Sequence, residues 1–161
     1  MIAIGIDPGT ATTGFGIVKE KDSRLFHIKH GAIRTSAQLP LEERLLYIYD
    51  QLNEYFSNYS PDLVAVEKIY FKQNVTNGIF VAQARGIALL LSAQKKIPVV
   101  EFSPTEVKTA LVGYGRAEKF QVQAMVQRLL MLDKIPKPDD AGDALALAIC
   151  ALQTHRQINL R

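Results

Sequence analysis

Four carboxylates carry the chemistry that this sequence offers, and each stands at or near the end of an element. Asp7 closes the run Ile2-Ala3-Ile4-Gly5-Ile6-Asp7. Its isoleucines alternate with small residues as on a strand with one apolar face, and Pro8-Gly9 then turns the chain. A carboxylate there projects past the end of a sheet, although an Asp before Pro-Gly is equally a common turn former. Glu67 closes a second short run, Asp62-Leu63-Val64-Ala65-Val66-Glu67, in the same way. Asp140 and Asp143 are three apart on a predicted helix, so they share one face, and that face continues through Ala144, Leu147 and Ala151. Acids at a helix start complement its dipole, which accounts for Asp139 and in part for Asp140. It accounts poorly for Asp143, which prolongs an inward-facing apolar stripe. Gathered in one place, four carboxylates repel one another and raise each other's pKa unless a cation neutralises them. Oxygen-only ligands favour hard ions, Mg²⁺ or Mn²⁺, over zinc or copper. Two such ions roughly 3.5–4 Å apart can clamp the attacking and leaving oxygens of a phosphodiester displacement. The chemistry expected is metal-assisted phosphoryl transfer.

The elements that must position these acids follow in order. After the first strand, apolar runs at about 14–19 and 25–35 flank the charged tip Glu20-Lys21-Asp22-Ser23-Arg24, which reads as an antiparallel three-stranded meander. Gly14 and Gly16 share one face of the second strand and mark either a close approach of backbone or ligand, or a bulge. Pro40 opens a helix whose Leu41, Leu45, Ile48, Leu52 and Phe56 recur at helical spacing. The strand ending at Glu67 is apolar on both faces, as a central strand is. A helix over about 76–95 is rich in small residues and so is either buried or a subunit contact. Residues 98–102 form a fifth strand. Ser103-Pro104-Thr105-Glu106 is a capping box that starts a short helix ending near Gly113. Val122, Met125, Val126 and Leu129 define another helix, and the last begins near Asp139. The order βββαβαβααα predicts an α/β class with a five-stranded mixed sheet carrying helices on both faces, in a single domain spanning 1–161.

Composition sets the setting. The 161 residues are 48% hydrophobic and 22% charged, ordinary for a globular chain. No apolar run is long enough for a membrane span, and no signal-type segment opens the chain, so no membrane partner is expected. The one cysteine, Cys150, lies in an apolar helical run and reads as packing in a reducing, cytoplasmic setting. The net charge of +3 is uneven: residues 1–80 carry 8 Lys/Arg against 9 Asp/Glu, and residues 81–161 carry 11 against 7. If the acids are taken up by metal, the remaining surface suits a polyanion. His27, His30 and His155 are not placed as general bases and read as surface residues.

Several motifs together resemble the RuvC-type bacterial Holliday-junction resolvases. They are Gly5-Ile-Asp-Pro-Gly-Thr10, Thr13-Gly-Phe-Gly16, Val66-Glu-Lys-Ile-Tyr70, Gln83-Ala-Arg-Gly86, Val107-Lys108, Ala117-Glu-Lys119 and Asp140-Ala-Gly-Asp143-Ala-Leu-Ala146. The similarity runs from about residue 2 to 152. It implies a ribonuclease-H-like fold and a homodimer that nicks four-way DNA junctions in a paired, symmetric, Mg²⁺-dependent way, with Mn²⁺ as a possible substitute. By the resemblance, Asp7, Glu67, Asp140 and Asp143 are the metal ligands and catalytic acids, and Lys108 and Lys119 act beside them. It further implies a metal-activated water as nucleophile, ends carrying 5′-phosphate and 3′-hydroxyl, and a branch-migration helicase as partner. The implied DNA contacts are Tyr70, Phe71, Lys72, Arg85, Lys108, Arg116 and Lys119, with Tyr70 or Phe71 as the ring that stacks on splayed bases.

Two rivals share features with this reading. The opening also resembles the phosphate loop of actin-like and sugar-kinase ATPases, which use two copies of their core fold, whereas 161 residues supply one. A non-catalytic nucleic-acid or protein-binding module of the same fold would dispense with one or more of the acids, and all four are present.

Overall fold

The computed structural model describes residues 1–69 and 75–159. Five strands, β1 (Ile2–Asp7), β2 (Thr12–Lys21), β3 (Arg24–Arg34), β4 (Leu63–Glu67) and β5 (Val99–Phe102), form one sheet in the order β3-β2-β1-β4-β5. The meander β1-β2-β3 is antiparallel, while β4 and β5 add to β1 in parallel. The mixed sheet follows from the connections, because short turns allow only antiparallel neighbours and helical crossovers return the chain parallel.

Five helices cover the sheet: α1 (Leu41–Tyr59), α2 (Val75–Gln94), α3 (Pro104–Val112), α4 (Lys119–Leu129) and α5 (Asp139–Asn159). On one face, Ile48, Leu52 and Phe56 of α1 and Ala88 and Leu91 of α2 pack on Ile4, Ile6, Phe15, Ile17, Val64 and Val66. Each large side chain buried here contributes about 1.5–3 kcal/mol. On the other face, α5 lies directly on the sheet and α3 and α4 pack around it. Residues 144–152 of α5 are buried on every side, which is why the sequence there is apolar all round rather than striped.

The small residues of β1 and β2 make this second layer possible. A Cβ on Gly5 would lie 1.9 Å from the Ala144 carbonyl oxygen, and one on Gly14 or Gly16 would strike the backbone of Asp140 or Leu145 at 2.1 and 2.6 Å. The glycines therefore mark a close backbone approach by α5, resolving the alternatives the sequence left open. The bulge lies elsewhere, between Ile17 and Val18, where Ile28 is the extra residue of β3. It puts His27 and His30 on one face, half-buried, with Nε2 of one 2.7 Å from Nδ1 of the other. These two histidines remain partly exposed, as expected from the sequence, but they contact each other.

The expected start and end of α3 are both seen in detail. The Ser103 hydroxyl accepts from the Glu106 N–H (3.2 Å), and the Ser103 N–H donates to the Glu106 carboxylate (2.6 Å), completing the capping box of α3. Gly113, at φ 95°, caps the other end in the left-handed conformation that glycine tolerates best. Of the small-residue helix α2, Ala84, Ala88 and Leu91 face the chain's own core, while Ile79 and Leu90 on its outer side are about half exposed.

Candidate active site

The four acids meet where the central strands run out. Asp7 is the last residue of β1 and stands opposite Gly14 in the β1–β2 register. Because Gly14 has no side chain, Asp140 in the first turn of α5 settles directly above it. Asp7 and Asp140 are therefore neighbours through a glycine. Glu67 ends β4, one residue beyond the Ile6–Val66 pair of the parallel ladder. The Lys68 N–H donates to the Phe102 carbonyl (2.8 Å), and the Lys68 ammonium reaches both Glu106 oxygens (2.9 and 3.1 Å), so the exit of β4 is tied to β5 and α3. Asp143 follows Asp140 on the same face of α5.

The electrostatics follow from this placement. Burial raises the Asp7 carboxyl from 3.8 to about 7, helped by the negative charges of Asp143, Glu67 and Asp140 and opposed by Lys119. Glu67 is pushed up as well, first by burial and then by Asp143, with Lys119 again opposing. The Lys119 ammonium donates to Asp143 at 2.8 Å and lies 3.6 Å from Asp139. Its own pKa is raised chiefly by that bond to Asp143. Asp139 is paired with Lys137 at 2.6 Å and with Lys119 at the rim, and it is the charge of Asp140, not Asp139, that acts on Asp7.

The donor set suits a hard divalent cation: all oxygen, all anionic, partly buried, and opposed by one lysine contact that an ion could displace. Among the described residues, no three His, Cys, Asp or Glu side chains are already arranged to hold an ion. Asp143 is bonded to Lys119, a contact that an ion would have to replace. Two depressions flank the cluster. One, of about 250 Å³, is lined by Glu67, Asp143, Lys108 and Lys119 above an apolar floor including Val107, Val122 and Leu147. The other, of about 500 Å³, is lined by Asp140, the Gly9–Thr12 loop, Arg44, Phe80 and Val81.

The remaining expected residues divide clearly. Lys108 is half-buried beside Lys119, and Arg116 is exposed in the loop that leads into α4. Arg85 instead forms an ion pair with Glu101 of β5, so its charge is engaged within the chain. Tyr70, Phe71 and Lys72 lie outside the described residues. Arg44 escaped the sequence reading, since it occupies the polar side of an amphipathic helix and only the tertiary fold brings it beside Thr10.

A mixed sheet in this order, helices on both faces and acids at the ends of its central strands together define a ribonuclease-H-like protein. Residues 3–151 match the family model described as crossover junction endodeoxyribonuclease RuvC, and the chain belongs to that family. A relative of that name from Desulfitobacterium hafniense is 48% identical over 159 residues, covering 99% of this chain and 96% of the relative. One from Syntrophomonas wolfei is 51% identical, with 97% and 91% covered. The solved structure of Thermus thermophilus RuvC in complex with Holliday junction substrate superposes with a TM-score of 0.93 at 33% identity, covering 98% of this chain and 96% of that one.

Proposed function

We propose that this chain is a structure-specific endodeoxyribonuclease that resolves four-way DNA junctions by paired, symmetric nicks during recombination and repair. The observation that carries the reading is the meeting of Asp7, Glu67, Asp140 and Asp143 at one end of the sheet, between two depressions that a DNA strand can occupy. The full-length relatives carry the name crossover junction endodeoxyribonuclease, and the Thermus protein has been solved on a Holliday junction substrate.

In this reading the four acids hold Mg²⁺, two ions in the active complex, with Mn²⁺ able to substitute. The ions would polarise the scissile phosphodiester and acidify the attacking water. The chain's own groups do the rest. Asp7, held near 7, yields its proton at neutral pH when positive charge arrives. Lys119, displaced from Asp143, turns its ammonium to the charge that builds on the phosphate, and Lys108 supports it from the same depression. The oxygen of water bonds to phosphorus as the P–O3′ bond breaks, the water gives up a proton to solvent and the departing O3′ takes one up from solvent, leaving 5′-phosphate and 3′-hydroxyl ends.

A four-way junction has approximate two-fold symmetry, so two sites at fixed spacing require a homodimer. The outer side of α2, with Ile79 and Leu90 exposed, is the proposed contact. The proposal further includes a single domain over 1–161, a branch-migration helicase as partner and the cytoplasm as compartment. Among the described residues, no helix is long and apolar enough to cross a membrane. The test is a Mg²⁺-dependent cleavage assay on a four-way junction and on duplex of the same sequence. The expected result is paired nicks in the junction and none in the duplex. Equal cutting of both, or of neither, would overturn the proposal.

A further inference from the structure

The depression beyond Asp140 is built around a cation that the catalytic scheme does not use. Arg44, in the first turn of α1, is half-buried at its wall. Its Nε donates to the Thr35 hydroxyl (2.8 Å), which in turn donates to the Thr10 carbonyl, while the Thr35 N–H donates to the Ala11 carbonyl (3.1 Å). Only Nε of the guanidinium is engaged in this chain of bonds. Among the described residues no carboxylate pairs with Arg44, although Glu42 and Glu43 are its neighbours in sequence. The guanidinium is therefore fixed at one nitrogen, with its terminal nitrogens left for an anion, in a groove of about 500 Å³ that leads to Asp140. Among the described residues, the Gly9–Thr12 loop and the apolar residues Phe80 and Val81 also line it. A fixed cation beside an apolar wall matches the alternation of phosphate and deoxyribose along a nucleic-acid backbone.

Resting on the nuclease reading above, we propose that Arg44 seats a backbone phosphate of the strand being cut, on the opposite side of the acids from Lys108 and Lys119. The strand then crosses the site held at both ends, with the scissile phosphate fixed between them. A phosphate seat differs from a merely structural arginine in how binding responds to salt, because each phosphate contact releases counterions.

The test measures junction affinity against salt, without divalent ions so that no strand is cut, for wild type, Arg44→Gln and Arg44→Lys. Arg44→Gln should weaken binding about five- to tenfold and lower the slope of log affinity against log salt by about one, with Arg44→Lys restoring the slope. Affinity and slope equal to wild type in Arg44→Gln would overturn the seat, whatever happens to cleavage. Junctions carrying single neutral methylphosphonates keep the question open to test even if Arg44→Gln folds poorly. One such substitution, displaced from the scissile phosphate, should reproduce the slope loss in the wild-type protein, and its absence at every position tested would overturn the proposal. Wild-type cleavage measured alongside separates the two readings. Cleavage with no phosphate dependence refutes only the seat, whereas wild type that neither binds nor cuts a junction refutes the nuclease function.

Discussion

At Asp7, burial and the neighbouring charges of Asp143, Glu67 and Asp140 act in the same direction, and the carboxyl titrates at about 7 rather than at 3.8. A raised acid pKa means that the folded protein holds a proton the unfolded chain has released. This contribution to stability is full below about pH 4 and is lost as pH rises through 7, amounting at most to a few kcal/mol. The metal-free protein should therefore melt at a lower temperature at pH 8 than at pH 5. Asp7→Asn should flatten that difference, and Mg²⁺ at pH 8 should restore the wild-type melting temperature. Identical pH profiles for wild type and Asp7→Asn would contradict the assignment. Catalysis makes the stricter demand: Asp7→Asn and Asp143→Asn should each cut junction at least about 100-fold more slowly while binding it within a few-fold of wild type. Cleavage rates on synthetic junctions under single-turnover conditions check this directly.

At the scale of elements, the contact between α5 and the sheet sets the geometry of the site. The methyl group of Gly5→Ala would overlap the Ala144 carbonyl, so the variant should lose about 1–3 kcal/mol or more in denaturant unfolding. Gly14→Ala collides instead with Asp140 and should lose cleavage out of proportion to its loss of stability. Cleavage that simply tracks the unfolded fraction would show that Gly14 only packs. Much at this scale was legible in the sequence. The alternation in Ile2–Asp7, the Ser103–Glu106 capping box and the spacing of Asp140 and Asp143 are local patterns, and local patterns survive without tertiary information. The reason for Gly14 and Gly16 was not legible, because the atoms they make room for lie more than a hundred residues away. The His27–His30 contact was hidden for a similar cause: two residues three apart on a regular strand face opposite ways, and only the pairing of β3 with β2 reveals the bulge.

Across the whole molecule, the acids border two depressions that also carry cations, Lys108 and Lys119 in one and Arg44 in the other, while Ile79 and Leu90 on the outer side of α2 are exposed. The excess of Lys and Arg in the second half of the chain foreshadowed a polyanion partner. The place of Arg44 could not be foreseen, since nothing in residues 40–50 records that they pack beside Thr10. Association is expected to depend on the apolar side of α2: Leu90→Lys should shift sedimentation at micromolar concentration from dimer to monomer. Cleavage by that variant should change from paired to single nicks. A wild-type protein that sediments as a monomer would contradict this arrangement. The central claim, that Asp7, Glu67, Asp140 and Asp143 close around divalent ions against a DNA strand, is tested most directly by anomalous diffraction from crystals of the junction complex grown with Mn²⁺. The account predicts manganese peaks within bonding distance of Asp7 and its three partners, and manganese bound only elsewhere would contradict it.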